Sequence, residues 1–188
     1  MWKFENELFK NNIYELKKGM KKKMILYPKA YFKNVREITY KFLKENNINA
    51  LVLDVDNTLI DYDRNLPEEN IVWGNEMKKN GIKLYILSNT NKKDKVEAVS
   101  KKMEIKYINF AKKPLKSGFK KVKKLLDEEY ENIGVVGDQI FTDVLGANRC
   151  KMFSILIEPV GEKDLIFTKI KRPIEQLVKN KYFKKIRR

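Results

Sequence analysis

Two carboxylates spaced i, i+2 at the end of an apolar run are the residues of this chain best placed to do chemistry. In Leu51-Val52-Leu53-Asp54-Val55-Asp56-Asn57-Thr58-Leu59 the run reads as a buried strand that delivers Asp54 and Asp56 to its carboxyl end, followed by a polar turn. Open α/β sheets keep their ligands at that end of their strands. Two acids held so close repel one another, and a cation between them relieves the repulsion. Mg²⁺, which takes carboxylate, carbonyl and water oxygens, is the candidate.

Three further stretches carry polar residues in the same kind of place. Leu84-Tyr85-Ile86-Leu87 runs into Ser88 and Asn89, a hydroxyl and an amide after a strand. Ala111-Lys112-Lys113-Pro114 sets lysine just before a helix start, and Ile133-Gly134-Val135-Val136-Gly137 leads to Asp138 and, five residues on, Asp143. Each has a plain structural explanation when taken singly. Ser88 could cap a helix, Lys113 could be one of many solvated lysines, and Asp143 could be a first-turn acid favoured by the helix dipole. Asn57 and Thr58 read as turn residues shaping the acidic loop, and Asp61 and Asp63 as solvated loop acids.

The elements that must position these groups alternate regularly. Strand-like runs fall at 50–54, 82–88, 105–109, 133–137 and 153–157, with helical segments near 67–80, 92–103, 115–130 and 141–149. Such alternation predicts βαβ units and a mostly parallel sheet covered on both faces. Pro67 and Pro114 fall at helix starts, where a missing N–H costs nothing. A parallel sheet of this kind gathers all four polar sets along one edge.

Composition narrows the chemistry. There is no histidine among the 188 residues, which removes Ser-His-Asp and Cys-His sites, His-ligated zinc and imidazole bases. Cys150 stands alone, so no intramolecular disulfide forms; it reads as a buried apolar residue, and the chain as cytoplasmic. No apolar run is long enough to span a bilayer. The net charge of +16 is concentrated at the ends: residues 1–33 contribute +6, residues 169–188 contribute +8, and the near-neutral middle only +2. Residues 1–23 read as a basic amphipathic extension with Trp2, Phe9, Ile13, Leu16 and Met20 close to one stripe. Residues 169–188 read as a basic helix bearing Ile174, Leu177, Val178, Phe183 and Ile186, and residues 24–168 as the single domain between. Basic ends suit an anionic lipid surface or a nucleic acid.

Taken in order, the motifs Asp54-Val55-Asp56-Asn57-Thr58, Ser88, Lys113 and Gly137-Asp138 with Asp143 resemble the haloacid dehalogenase (HAD) superfamily of aspartyl-phosphate phosphotransferases. The resemblance implies a three-layer Rossmann-like fold with a mostly parallel sheet of about five strands. It makes Asp54 the nucleophile and Asp56 the general acid and then base. Mg²⁺ would be held by the Asp54 carboxylate, the Asp56 backbone carbonyl and Asp138, with Asp143 in support. Ser88, Asn89 and Lys113 would bind the substrate phosphate; Lys113 is preferred to Lys112 because it directly precedes proline.

Only about 25 residues separate the first acids from the next strand, a similar gap separates Ser88 from Lys113, and one helix fills each interval. That leaves no room for a cap domain, and an open site favours a phosphate carried on something large. Within the superfamily, residues 24–175 look like the YqeG-type subfamily IIIA phosphatases, chiefly through Gly137-Asp138-Gln139-Ile140-Phe141-Thr142-Asp143-Val144-Leu145-Gly146. That group is similar to mitochondrial phosphatidylglycerophosphate phosphatases. The expectation is a Mg²⁺-dependent phosphatase acting on this anionic phospholipid, peripheral at the inner face of the cell membrane through its basic termini. No stable nucleic-acid partner is expected, because the terminal aromatics sit at helical spacing and form no stacking platform. The alternatives are a HAD phosphatase acting on a nucleic-acid terminal phosphate, a phosphoprotein or a small metabolite, and a non-enzymatic anion-binding module.

Overall fold

The computed structural model describes residues 25–160 together with Asn180 and Tyr182. The N-terminal extension expected over 1–23 lies outside them, as does the C-terminal helix expected over 169–188 apart from those two residues.

Within the described residues the chain folds as β1 (Ala30–Phe32), α1 (Tyr40–Glu45), β2 (Ala50–Leu53), α2 (Glu68–Lys79), β3 (Lys83–Leu87) and α3 (Lys93–Met103). It continues through β4 (Lys106–Ile108), α4 (Lys116–Leu126), β5 (Ile133–Gly137), α5 (Leu145–Arg149) and β6 (Phe153–Ile157). One parallel sheet holds all six strands in the order β1-β6-β5-β2-β3-β4. The fold class is therefore as expected, with one strand more than the five read from the sequence. The addition is β1, a three-residue edge strand whose Ala30, Tyr31 and Phe32 pair with Ile155, Leu156 and Ile157. Three residues are too few for period-two alternation to show.

The layers follow from the strand period. Along β2, Leu51 and Leu53 point to one face and Ala50 and Val52 to the other. The first face packs against Trp73 and Met77 of α2 and Val96, Val99 and Met103 of α3. The second packs against Phe119, Val122 and Leu126 of α4 and Ala147 of α5. A strand buried on both faces reads as a continuous apolar run, and β2 and β5 are buried at every residue.

Topology places the site. From β2 the chain steps outward to β3 and β4 and then returns to the other side of β2 as β5. The crevice between β2 and β5 is thus the switch point at which open sheets of this kind bind ligands. A single α-helix lies between β2 and β3 and another between β3 and β4, so no cap domain is inserted among the described residues. The helix expected over 115–130 stops at Leu126, where Asp127 takes a left-handed conformation. The segment expected as a helix over 141–149 opens with a wide π turn, Ile140–Val144, before α5.

Candidate active site

Asp54 is the first residue beyond β2, and its N–H extends the β2–β5 ladder by donating to the Val136 carbonyl at 2.9 Å. Asp138 is the first residue beyond β5. The two strands that flank the switch point therefore each end in a buried acid. Past Asp54 the chain folds tightly on the Val55 carbonyl, which accepts from the N–H groups of Thr58, Leu59 and Ile60. Asn57 takes a left-handed conformation with φ of 57°, which asparagine tolerates better than most residues.

Lys113 joins the acids. Its ammonium lies 2.8 Å from Asp54 Oδ1 and 2.6 Å from Asp143 Oδ1, with all three side chains buried. Lys112 stays exposed, its Nζ lying over the Phe110 ring. Asp143 is delivered by the π turn, where its other oxygen accepts from the Gln139 N–H and the Thr142 hydroxyl. Gly137 makes room for it: a Cβ at that position would stand 2.3 Å from Asp143 Cγ. Asp143 is thus an ion partner of the lysine, a contact that a first-turn acid facing the helix dipole would not make.

Ser88 is fully buried, and its Oγ accepts the Thr90 N–H at 3.2 Å, leaving the hydroxyl proton to donate. It caps no helix, since α3 begins only at Lys93. Asn89, expected to touch phosphate, is committed elsewhere: its amide donates to the Lys113 carbonyl at 2.9 Å, and its oxygen accepts the Lys113 N–H at 2.6 Å. That double contact sets the lysine's backbone, so Asn89 positions Lys113 and keeps one amide N–H beyond these two bonds.

Asp56 stands apart from the buried cluster. It is partly exposed and forms an ion pair with Lys95 in the first turns of α3. Sequence reasoning passed over Lys95 because nothing distinguishes one lysine among so many; only its place in the turns after the Ser88 loop could have suggested it. Asp61, read as a solvated acid, accepts from the backbone and side chain of Asn65 and shapes the same loop.

Electrostatics follow from burial. Burial pushes the Asp54 carboxyl up to about 7; Lys113 opposes the rise, and Asp143 and Asp56 add to it. For Lys113, burial alone would lower the ammonium's pKa, but Asp143 and Asp54 at contact distance hold it above the usual lysine range. Carboxylate oxygens of Asp54, Asp138 and Asp143 lie within 4.8 Å of one another. Three buried carboxylates against one buried lysine leave excess negative charge, which a hard divalent cation with oxygen ligands offsets. The donor set fits Mg²⁺.

The residue types gathered here are those phosphoryl transfer calls on: a carboxylate that could attack, a lysine and a hydroxyl that could receive phosphoryl oxygens, and a more exposed acid that could manage protons. Comparison with known proteins agrees. The profile of the mitochondrial PGP phosphatase family matches residues 11–161. The probable phosphatase YqeG of Bacillus subtilis (strain 168) is 38% identical over 160 residues, spanning 85% of this chain and 92% of its own. A solved structure of an uncharacterized protein from Listeria monocytogenes serotype 4b shares the fold with a TM-score of 0.51 and 19% identity, over 63% of this chain and 85% of that one. On its sequence match, its fold and the residues gathered at its switch point, the chain belongs to the mitochondrial PGP phosphatase family and is a phosphatase.

Proposed function

We propose that the protein hydrolyses the phosphomonoester of phosphatidylglycerophosphate, giving phosphatidylglycerol and inorganic phosphate through a phosphorylated Asp54. The observation that carries the reading is the buried cluster at the switch point, in which Asp54 and Asp143 both pair with Lys113 and Asp138 has a carboxylate oxygen within 4.8 Å of theirs. The substrate is supported by the family's description and by the open, capless site between strongly basic ends.

In the first half-reaction an Asp54 carboxylate oxygen attacks phosphorus, and the bond to the glycerol oxygen breaks. Asp56 in its acid form gives that oxygen a proton as it leaves. In the second, Asp56 as carboxylate takes a proton from water, the water oxygen bonds to phosphorus, and the bond to Asp54 breaks to release phosphate. Lys113 and the Ser88 hydroxyl receive the equatorial oxygens, whose charge both steps must accommodate. Asn89 and Asp143 keep Lys113 in place, and Lys95 holds Asp56 at the mouth of the site. The Asp54 carboxylate, the Asp56 carbonyl and Asp138 would hold Mg²⁺, which when bound would supply further positive charge to the phosphoryl group.

No helix of the described residues is long and apolar enough to cross a membrane. A peripheral place on the inner face of the cell membrane, with the basic termini against anionic lipid, matches the substrate. The test is Mg²⁺-dependent phosphate release from phosphatidylglycerophosphate in mixed vesicles, beside a soluble phosphomonoester and a 3′-phosphorylated oligonucleotide. Asp54→Asn is expected to reduce turnover at least about a thousandfold, as loss of an attacking group does. Strong preference for the lipid supports the assignment; equal or faster turnover of the oligonucleotide or the soluble ester overturns it.

A further inference from the structure

The loop that carries Lys113 has two sides. Lys113 turns inward to the acids, while Phe110 and Leu115, on either side of it, are left 58% and 52% exposed. Lys112 and Lys116 are exposed beside them. The neighbouring loop after β3 adds exposed Lys92 and Lys93, and the two loops are tied together where the Phe110 N–H donates to the Thr90 carbonyl at 3.1 Å. Neither stretch, 88–93 or 109–116, contains an acid, although the middle of the chain is close to neutral overall. An aromatic ring and a leucine held out to solvent among lysines form one rim of the active site.

We propose that this rim is a membrane-docking face: Phe110 and Leu115 enter the headgroup region of an anionic bilayer while Lys92, Lys93, Lys112 and Lys116 meet lipid phosphates. The inference deepens the lipid-phosphatase reading and rests on it. Charge complementarity selects the occupant: the four exposed lysines outnumber the adjacent Asp94, which is itself paired with Arg64 at 3.3 Å, and so suit a surface of negative headgroups. The apolar pair separates lipid from nucleic acid: Leu115 has no π-face on which a base could stack, whereas an interfacial loop gains from burying leucine and phenylalanine alike. Docking by this rim sets the site mouth at the level of headgroup phosphates, where a site without a cap must meet a phosphomonoester that stays in the bilayer.

The experiment uses the full chain and the double variant F110S/L115S, with circular dichroism to verify folding. Co-sedimentation with equimolar phosphatidylglycerol–phosphatidylcholine vesicles reads docking. Turnover of phosphatidylglycerophosphate embedded in those vesicles, and of its dihexanoyl analogue as a dissolved monomer, reads chemistry. The double variant is expected to lose vesicle affinity by about tenfold or more, as removal of two apolar side chains that enter the bilayer implies, and to lose vesicle turnover in proportion while hydrolysing the dissolved analogue like wild type. Vesicle binding and turnover unchanged in the variant, with the dissolved analogue still hydrolysed, overturns the docking face and leaves the substrate assignment standing. A wild-type chain that binds vesicles through the rim yet hydrolyses neither lipid supports the face and overturns the substrate. Wild type that fails to bind the vesicles, or whose Phe110 and Leu115 govern self-association instead, also overturns the face.

Discussion

Asp54 is both the proposed nucleophile and a buried acid whose ionisation folding disfavours. In the metal-free protein its carboxyl is pushed from an ordinary 3.8 to about 7, so between those values the folded chain holds a proton that the unfolded chain has released. The sign follows directly: this contribution is complete below the unfolded value and is lost as pH rises through about 7, at no more than about 1.4 kcal/mol per pH unit. Thermal denaturation of metal-free protein is therefore expected to show a midpoint that falls from about pH 5 to about pH 8, and Mg²⁺ to raise it more at the higher pH. Asp54→Asn should flatten that slope; an unchanged slope in the variant would assign it to another group. Lys95 invites a separate measurement, because it grips Asp56 and touches none of the buried acids in the described hydrogen bonds and ion pairs. Lys95→Met is expected to lower kcat on a soluble phosphomonoester roughly tenfold with little change in KM, as misplacing a general acid does. Equal losses in kcat and stability would instead mark the pair as structural.

At the scale of elements, the site depends on how two strand ends and two loops are held. Gly137 closes β5 and leaves the space that the Asp143 side chain fills. Gly137→Ala forces a Cβ into that space and is expected to cost about 1–3 kcal/mol in chemical denaturation, as overpacking does, and to lower turnover by displacing Asp143 from Lys113. Full activity at full stability would show that the π turn can shift without consequence. The strands that carry the acids were legible because continuous apolar runs ending in Asp54 and in Gly137-Asp138 carry a strong pattern. The strand β1 and the short helix α1 were not, because three and six residues hold too little periodicity. The π turn was read as ordinary helix, since its single wide turn leaves the apolar spacing of 140–149 almost unaltered.

At the scale of the molecule, charge is segregated: strongly basic ends flank a near-neutral middle, in which Lys92, Lys93, Lys112 and Lys116 stand exposed on the two loops beside the site. Each cation near an anionic surface contributes about 1 kcal/mol, so changing Lys184, Lys185, Arg187 and Arg188 to glutamine is expected to weaken vesicle binding by at least about a hundredfold at low salt. Co-sedimentation checks this, and binding that ignores both the substitutions and added salt would count against an electrostatic role for the C-terminal end. That end also touches the domain, since Tyr182 is buried with its ring edge-to-face on Tyr27 at 5.6 Å. The fold class, the metal-loop acids and the order of the four motifs were determined by sequence alone, because apolar period and strand-end placement are local properties that a parallel sheet carries to one edge. The preference for Lys113 over Lys112 was legible in its place before Pro114, but the contact of Lys113 with Asp54, the commitment of Asn89 to that lysine's backbone and the capture of Asp56 by Lys95 were decided by tertiary structure. In each case the deciding quantity is a distance across the sheet edge between residues 24 to 59 positions apart, which no local pattern encodes.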